Sequence, residues 1–118
     1  MDALNTSNDQ LLKSAIASHR AGDLAGARQG YEQVLDREPE HGEAAFSLGL
    51  LEFGSGRHDA ALEYISKALE ASPMTMRYHI GLGQVLAALK RYREAAQAYE
   101  IVLAAEPPDM MVGSMRAA

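Results

Sequence analysis

A chain of 118 residues, 47% of them hydrophobic, fits one small folded domain and is too apolar for a disordered segment. Its net charge of −5 gives phosphate backbones and anionic lipid surfaces no basic field to hold, so neither nucleic acid nor membrane is expected as a partner. The lack of cysteine excludes disulfide staples, thiol nucleophiles and thiolate zinc sites, so packing must supply the stability.

The lead-in, residues 1–7, has neither the basic start nor the apolar core of a signal peptide. No later apolar run approaches the roughly 18 residues that span a bilayer, and a cytoplasmic, soluble protein is expected. From residue 8 the apolar spacing is helical, with Leu11, Ala15 and Ile16 on one face. Ala21-Gly22-Asp23 breaks that helix, and a second one runs on until Pro39. Proline lacks an amide donor and biases the residue before it, here Glu38, away from helix. The second hairpin turns at Gly54-Ser55-Gly56, carries Ala61, Leu62, Ile65, Ala68 and Leu69, and closes at Ser72-Pro73. The third turns at Lys90-Arg91 and closes at Glu106-Pro107. Three repeats are expected, at 8–41, 42–75 and 76–109, followed by a short methionine-rich tail at 110–118.

Several columns keep one register. Pro39, Pro73 and Pro107 recur every 34 residues, as do Ala27, Ala61 and Ala95, Leu35, Leu69 and Leu103, and the bulky series Tyr31, Ile65 and Tyr99. A column of small residues, Ala15, Gly49 and Gly83, marks where the two helices of a hairpin approach closely. Leu48 and Leu82 precede the glycines, and Ser14 takes that place in the first repeat. A helix of about fourteen residues is a plank of about 21 Å with one apolar face. Alone it cannot bury that face, so a period of this length predicts stacking of neighbours into a one-dimensional array.

Leucine, small residue, alanine, aromatic and proline at these offsets resemble the tetratricopeptide repeat over residues 8–109. The resemblance implies an all-α fold, a right-handed superhelical solenoid of three helix-turn-helix hairpins. It also implies a protein-interaction scaffold rather than an enzyme. Leu11, Ala45 and His79 replace the aromatic usual near the start of each first helix, and looser packing is expected near Ala45. By the same resemblance the first helices line a concave groove. Leu12, Ile16, His19 and Arg20 contribute from the first repeat, Glu43, Phe46, Leu50 and Phe53 from the second, and Arg77, Ile80, Gln84 and Ala87 from the third.

Phe46, Leu50 and Phe53 are read as an exposed stripe and the central anchors, because Ala45, Leu48, Gly49 and Glu52 already supply a packing face. The expected partner is a protein or peptide offering an apolar or amphipathic segment. The best-known subclass of the family clamps a C-terminal carboxylate with inward-pointing donors. Here Leu12, Ile16 and Leu50 stand where donors would be, and only Arg77 fits. The tail at 110–118 is too short and apolar to be the family's capping helix, so two explanations stand. The preferred one is a fragment of a longer chain, which would allow a targeting domain of a larger enzyme. The other is a self-assembling element, a homo-oligomer through the uncovered C-terminal edge.

No catalytic, cofactor or metal site is expected. His19, His41, His58 and His79 are scattered without a metal-binding pair and read as solvent-facing or groove-lining. Glu38, Glu40 and Glu43 around Pro39 read as a solvated loop beside a helix start. Gly54-Ser55-Gly56 lacks the lysine and hydroxyl of a phosphate loop, and Lys90, Arg91 and Arg93 with Tyr92 read as a solvated turn.

Overall fold

The first three helix starts follow from capping chemistry. In the computed structural model, which describes residues 6–105, α1 (Asn8–Arg20) opens on a capping box. The Ser7 hydroxyl accepts from the Gln10 amide at 3.1 Å, and the Gln10 side chain accepts from the Ser7 amide at 3.1 Å. Asp23 accepts from the Gly26 amide at 3.0 Å to open α2 (Leu24–Arg37). At α3 (Gly42–Gly54) the cap is His41, whose Nδ1 accepts from the Ala44 amide at 3.1 Å. The remaining helices are α4 (His58–Ala71), α5 (Met76–Ala88) and α6 (Tyr92–Ala105). Among the described residues there is no strand.

Two helix ends follow from prolines, and the third expected stop, at Pro107, lies outside the described residues. α2 and α4 each stop two residues before a proline, and the intervening Glu38 (φ −132°, ψ 87°) and Ser72 (φ −147°, ψ 81°) have left the helical region. Within hairpins, one turn position takes the left-handed conformation each time, at Gly22 (φ 87°), Gly56 (φ 83°) and Lys90 (φ 65°). Two of these are glycine, for which the conformation is free of strain, and the third is not.

α1 packs on α2, α3 on α4 and α5 on α6, and the hairpins join through α2–α3 and α4–α5. First helices also touch in sequence, α1 on α3 and α3 on α5. The result is an all-α helical repeat solenoid. The small-residue column does what its place requires. A methyl group at Gly49 would come within 2.7 Å of Ile65 Cγ1, and one at Gly83 within 2.5 Å of Tyr99 Cε1. In the first hairpin Ala15 faces Gly30, where a methyl would lie 2.7 Å from Ala15 Cβ.

Two expectations fail here. Ala45 is fully packed among Phe46, Ile65 and Tyr78, so that region is not loose. His79 is buried rather than solvent-facing or groove-lining, and its Nε2 bonds to the Pro73 carbonyl at 2.8 Å. The imidazole thus ties α5 back to the proline that precedes it.

Candidate peptide-binding groove

The first helices meet at a hollow of about 320 Å³ at the junction of the first two repeats. Ile16, His19 and Arg20 enter it from α1, and Glu43, Phe46, Ser47 and Leu50 from α3. Tyr31 of α2 and Arg77 of α5 complete it. Helical spacing explains the grouping, since 16, 19 and 20 share one face of α1, and 43, 46, 47 and 50 one face of α3.

Phe46 is not the exposed anchor expected from the sequence. It is 7% exposed and its ring stacks on Tyr78 with centroids 4.7 Å apart. Gly81 lies close enough that a methyl there would come within 2.7 Å of the ring. Phe46 is the floor of the hollow, and Leu50, 37% exposed, is the apolar side chain still open to solvent. Phe53 also departs from the expected stripe. It is half-buried and packs edge-on against His58, with centroids 5.1 Å apart, outside the residues lining the hollow. Leu12 is half-buried against Ala15, Tyr31 and Leu48. Ile80 and Gln84 are exposed on α5 and also lie outside the hollow.

The charges are arranged unequally. Arg77 donates two hydrogen bonds to the Glu43 carboxylate, one at 2.9 Å, and its guanidinium lies over the rings of Phe46 and Tyr78 at 5.5 and 5.1 Å. The Tyr78 hydroxyl donates to Glu43 Oε1 at 3.2 Å. The Arg77 hydrogen bonds hold the Glu43 carboxyl below its ordinary value; partial burial opposes this, while the Arg77 charge and the Tyr78 hydroxyl add to it. Arg20, by contrast, is exposed and pairs with no carboxylate among the described residues. It is the cation this hollow offers to a ligand.

Sequence reasoning missed Tyr31 and Ser47. Tyr31 is 1% exposed and its hydroxyl sits 3.2 Å from His19 Nδ1. Burial pushes that phenol up, against a Ser47 hydrogen bond and the Arg20 charge. The signal was present in the register. Tyr31 shares a column with Ile65, and a buried hydroxyl must find polar partners that an isoleucine does not need. Among the described residues no group of side chains is arranged to hold a metal ion, and no helix is long and apolar enough to cross a membrane.

The sequence model of the tetratricopeptide repeat matches residues 12–74 and 53–109. The chain belongs to the tetratricopeptide repeat family. Its relatives include the Protein CTR9 homolog of Arabidopsis thaliana, 34% identical over 67 residues, which span 57% of this chain and 6% of that protein. Protein FlbA of Caulobacter vibrioides is 31% identical over 93 residues, 79% of this chain and 16% of that one. The chain therefore spans only a small part of either relative. Among solved structures, the second tetratricopeptide domain of Spaghetti (RPAP3), bound to the HSP90 peptide SRMEEVD, superposes with a TM-score of 0.80. The match covers 90% of this chain and all of that one at 14% identity, a likeness of fold.

Proposed function

We propose that this tetratricopeptide array is a protein-binding module, not an enzyme, and that its concave hollow takes an apolar or amphipathic segment of a partner. The carrying observation is the pairing of Leu50 and Ile16 with the unpaired Arg20 around a floor closed by Phe46. The peptide-bound RPAP3 domain supports the reading by likeness of fold. A clamp for a terminal carboxylate is not favoured, since Arg77 is already engaged by Glu43. Burying one large apolar side chain is worth about 1.5–3 kcal/mol, against an association cost of about 4–15 kcal/mol. One such side chain does not cover that cost, so a ligand must engage Ile16, Leu50 and Arg20 together, and weak binding is the scale expected.

The test is selection of ligands from a random peptide display library, followed by titration into the full chain and into Ile16→Ser/Leu50→Ser. The double variant should bind at least about tenfold more weakly with unchanged helicity. Equal binding to both proteins would place the ligand elsewhere.

A second reading, self-association, is favoured by α6. Leu35 and Leu69 pack on the core that joins repeats 2 and 3, whereas Leu103 of the same column is 56% exposed, beside Ile101 at 45%. The tail Met110–Met115 to which this reading assigned the contact lies outside the described residues. Light-scattering mass across a dilution series, for the full chain and for one ending at Asp109, decides it. A dimer lost on truncation would make self-assembly the leading function.

A further inference from the structure

The second helices form the other side of the stack, and between α2 and α4 they leave a furrow of about 440 Å³, more roomy than the concave hollow. Leu35, Leu48 and Tyr64 give it an apolar floor, and Glu32 and Asp36 stand on its α2 wall four residues apart, on one helix face. Neither carboxylate forms an ion pair or hydrogen bond among the described residues.

Tyr64 departs from the repeat register. Its column holds Gly30 in the first repeat and Ala98 in the third, small residues at a close helix approach. The ring instead packs against the cluster of Ala15, Tyr31, Leu48 and Leu51, leaning toward the first repeat and into the furrow. Lys67, one turn further on, places its ammonium 5.9 Å from the ring centroid, so this ring already receives a cation. Burial raises the Tyr64 phenol, and the negative fields of Glu32, Glu52 and Glu63 raise it further against Arg28. The same positions between α4 and α6 carry Ser66, Ala98 and Ile101 in place of Glu32, Tyr64 and Lys67, so the combination belongs to the first junction alone.

We propose that this furrow is a second docking surface, and that its occupant is a basic amphipathic segment of a partner protein. An apolar side chain of that segment seats against Leu35, and an arginine or lysine lies over the Tyr64 ring within reach of Glu32 and Asp36. Charge complementarity selects this occupant, since the α2 wall offers two unpaired carboxylates beside an aromatic face. Lys67 competes for the same ring.

The probe is a synthetic peptide of alternating leucine and arginine, titrated into the isotope-labelled full chain and followed by amide chemical shifts. Its control replaces every arginine with the uncharged isostere citrulline. Saturable shifts should centre on Tyr64, Lys67 and Glu32, and Glu32→Gln/Asp36→Asn should weaken binding roughly tenfold. Lys67→Gln should tighten it by about threefold, by removing the competing cation. Asp9→Asn/Glu100→Gln, an equal change of charge elsewhere, and Leu50→Ser in the concave hollow should leave it unaltered. Absence of saturable binding, equal binding of the citrulline peptide, equal loss in the Asp9/Glu100 variant, or shifts centred on Ile16 and Leu50 would each overturn the proposal. Because Leu50→Ser acts only on the concave hollow, failure here and failure there are separately visible.

Discussion

The two junctions between repeats solve one geometric problem with different chemistry. Across the first, Arg28 of α2 pairs with Glu52 of α3, a carboxylate 8% exposed that also lies 3.9 Å from Arg57. Thirty-four residues on, the same two positions are Leu62 and Leu86, and both are buried or half-buried at the second junction. The second junction adds the Phe46–Tyr78 stack, where the first has Leu12 and Ala44. One backbone arrangement thus accepts an ion pair or an apolar pair at equivalent sites. The shared columns build the stack, and the positions that differ between repeats decide what each junction offers to a partner. Both the concave hollow and the outer furrow lie at the first junction, and the hollow reaches Arg77, whose bridge to Glu43 crosses the second.

The strongest blow to this comparison falls on the aromatic stack. Phe46→Ala should cost about 3–5 kcal/mol, because the ring is buried against Tyr78 and leaves a cavity. In a stacked array the loss should be local, so hydrogen exchange should quicken in α5 and α6 more than in α1 and α2. Uniform loss of protection would show that the two junctions are not separate units.

The ion pair gives the next effect. Glu52→Gln should destabilise by about 2–3 kcal/mol in urea titration, below the cost of breaking a wholly buried pair because Arg28 keeps 26% of its side chain exposed. Arg28→Leu/Glu52→Leu copies the second junction into the first. It should fall within about 1 kcal/mol of the parent chain or exceed it, since apolar replacement spares the desolvation of two charges. A double variant as damaged as the single would mean that the first junction is shaped around its charges and that the equivalence is only apparent.

Most of the scaffold is legible in the order of residues alone, and the misreadings have a common cause. Pro39 and Pro73 mark helix ends, Gly22 and Gly56 adopt the left-handed turn, and Gly49 and Gly83 sit at close helix contacts, all local consequences of the backbone. Phe46 is misread from spacing because its cover comes from Tyr78, thirty-two residues away on another repeat, in a column where Gln10 and Ala44 give no hint of an aromatic. His79 is misread for a related reason. Its partner is a backbone carbonyl at Pro73, and helical spacing assigns faces without showing which carbonyls a turn presents to them. The groove positions Ile16, His19, Arg20, Glu43, Leu50 and Arg77 do converge on one hollow, because their columns follow the helical face.

The hairpin turns extend the comparison at a smaller scale. Lys90 holds the left-handed position that Gly22 and Gly56 occupy in the other repeats. Lys90→Gly should therefore stabilise the third hairpin by about 0.5–1 kcal/mol, read as a rise of a few degrees in thermal midpoint. The gain should be confined to the third repeat's contribution. A lowered midpoint would mean that the lysine side chain contributes more than its backbone strain costs.

Acid sets the last and smallest distinction. Glu43 sits in the Arg77 bridge with its folded-state carboxyl held below its ordinary value near 4.5. A depressed carboxyl stabilises the fold above its unfolded-state value, and that contribution is lost as pH falls through the lower folded-state value. The Arg77 and Glu43 side chains are 54% and 32% exposed, so solvent screening limits the bridge to about 0.2–1 kcal/mol. Glu43→Gln should accordingly be slightly less stable than the parent at neutral pH, and the gap should close as pH drops below about 4.5. Because Glu43, Arg77, Phe46 and Tyr78 form one contact group, the closing gap should be strongest in hydrogen exchange at α5. A gap constant from neutral pH to pH 3, on the scale of about 1 kcal/mol, would mean that Glu43 acts there through packing and that the bridge it forms with Arg77 across the second junction adds nothing through its charge.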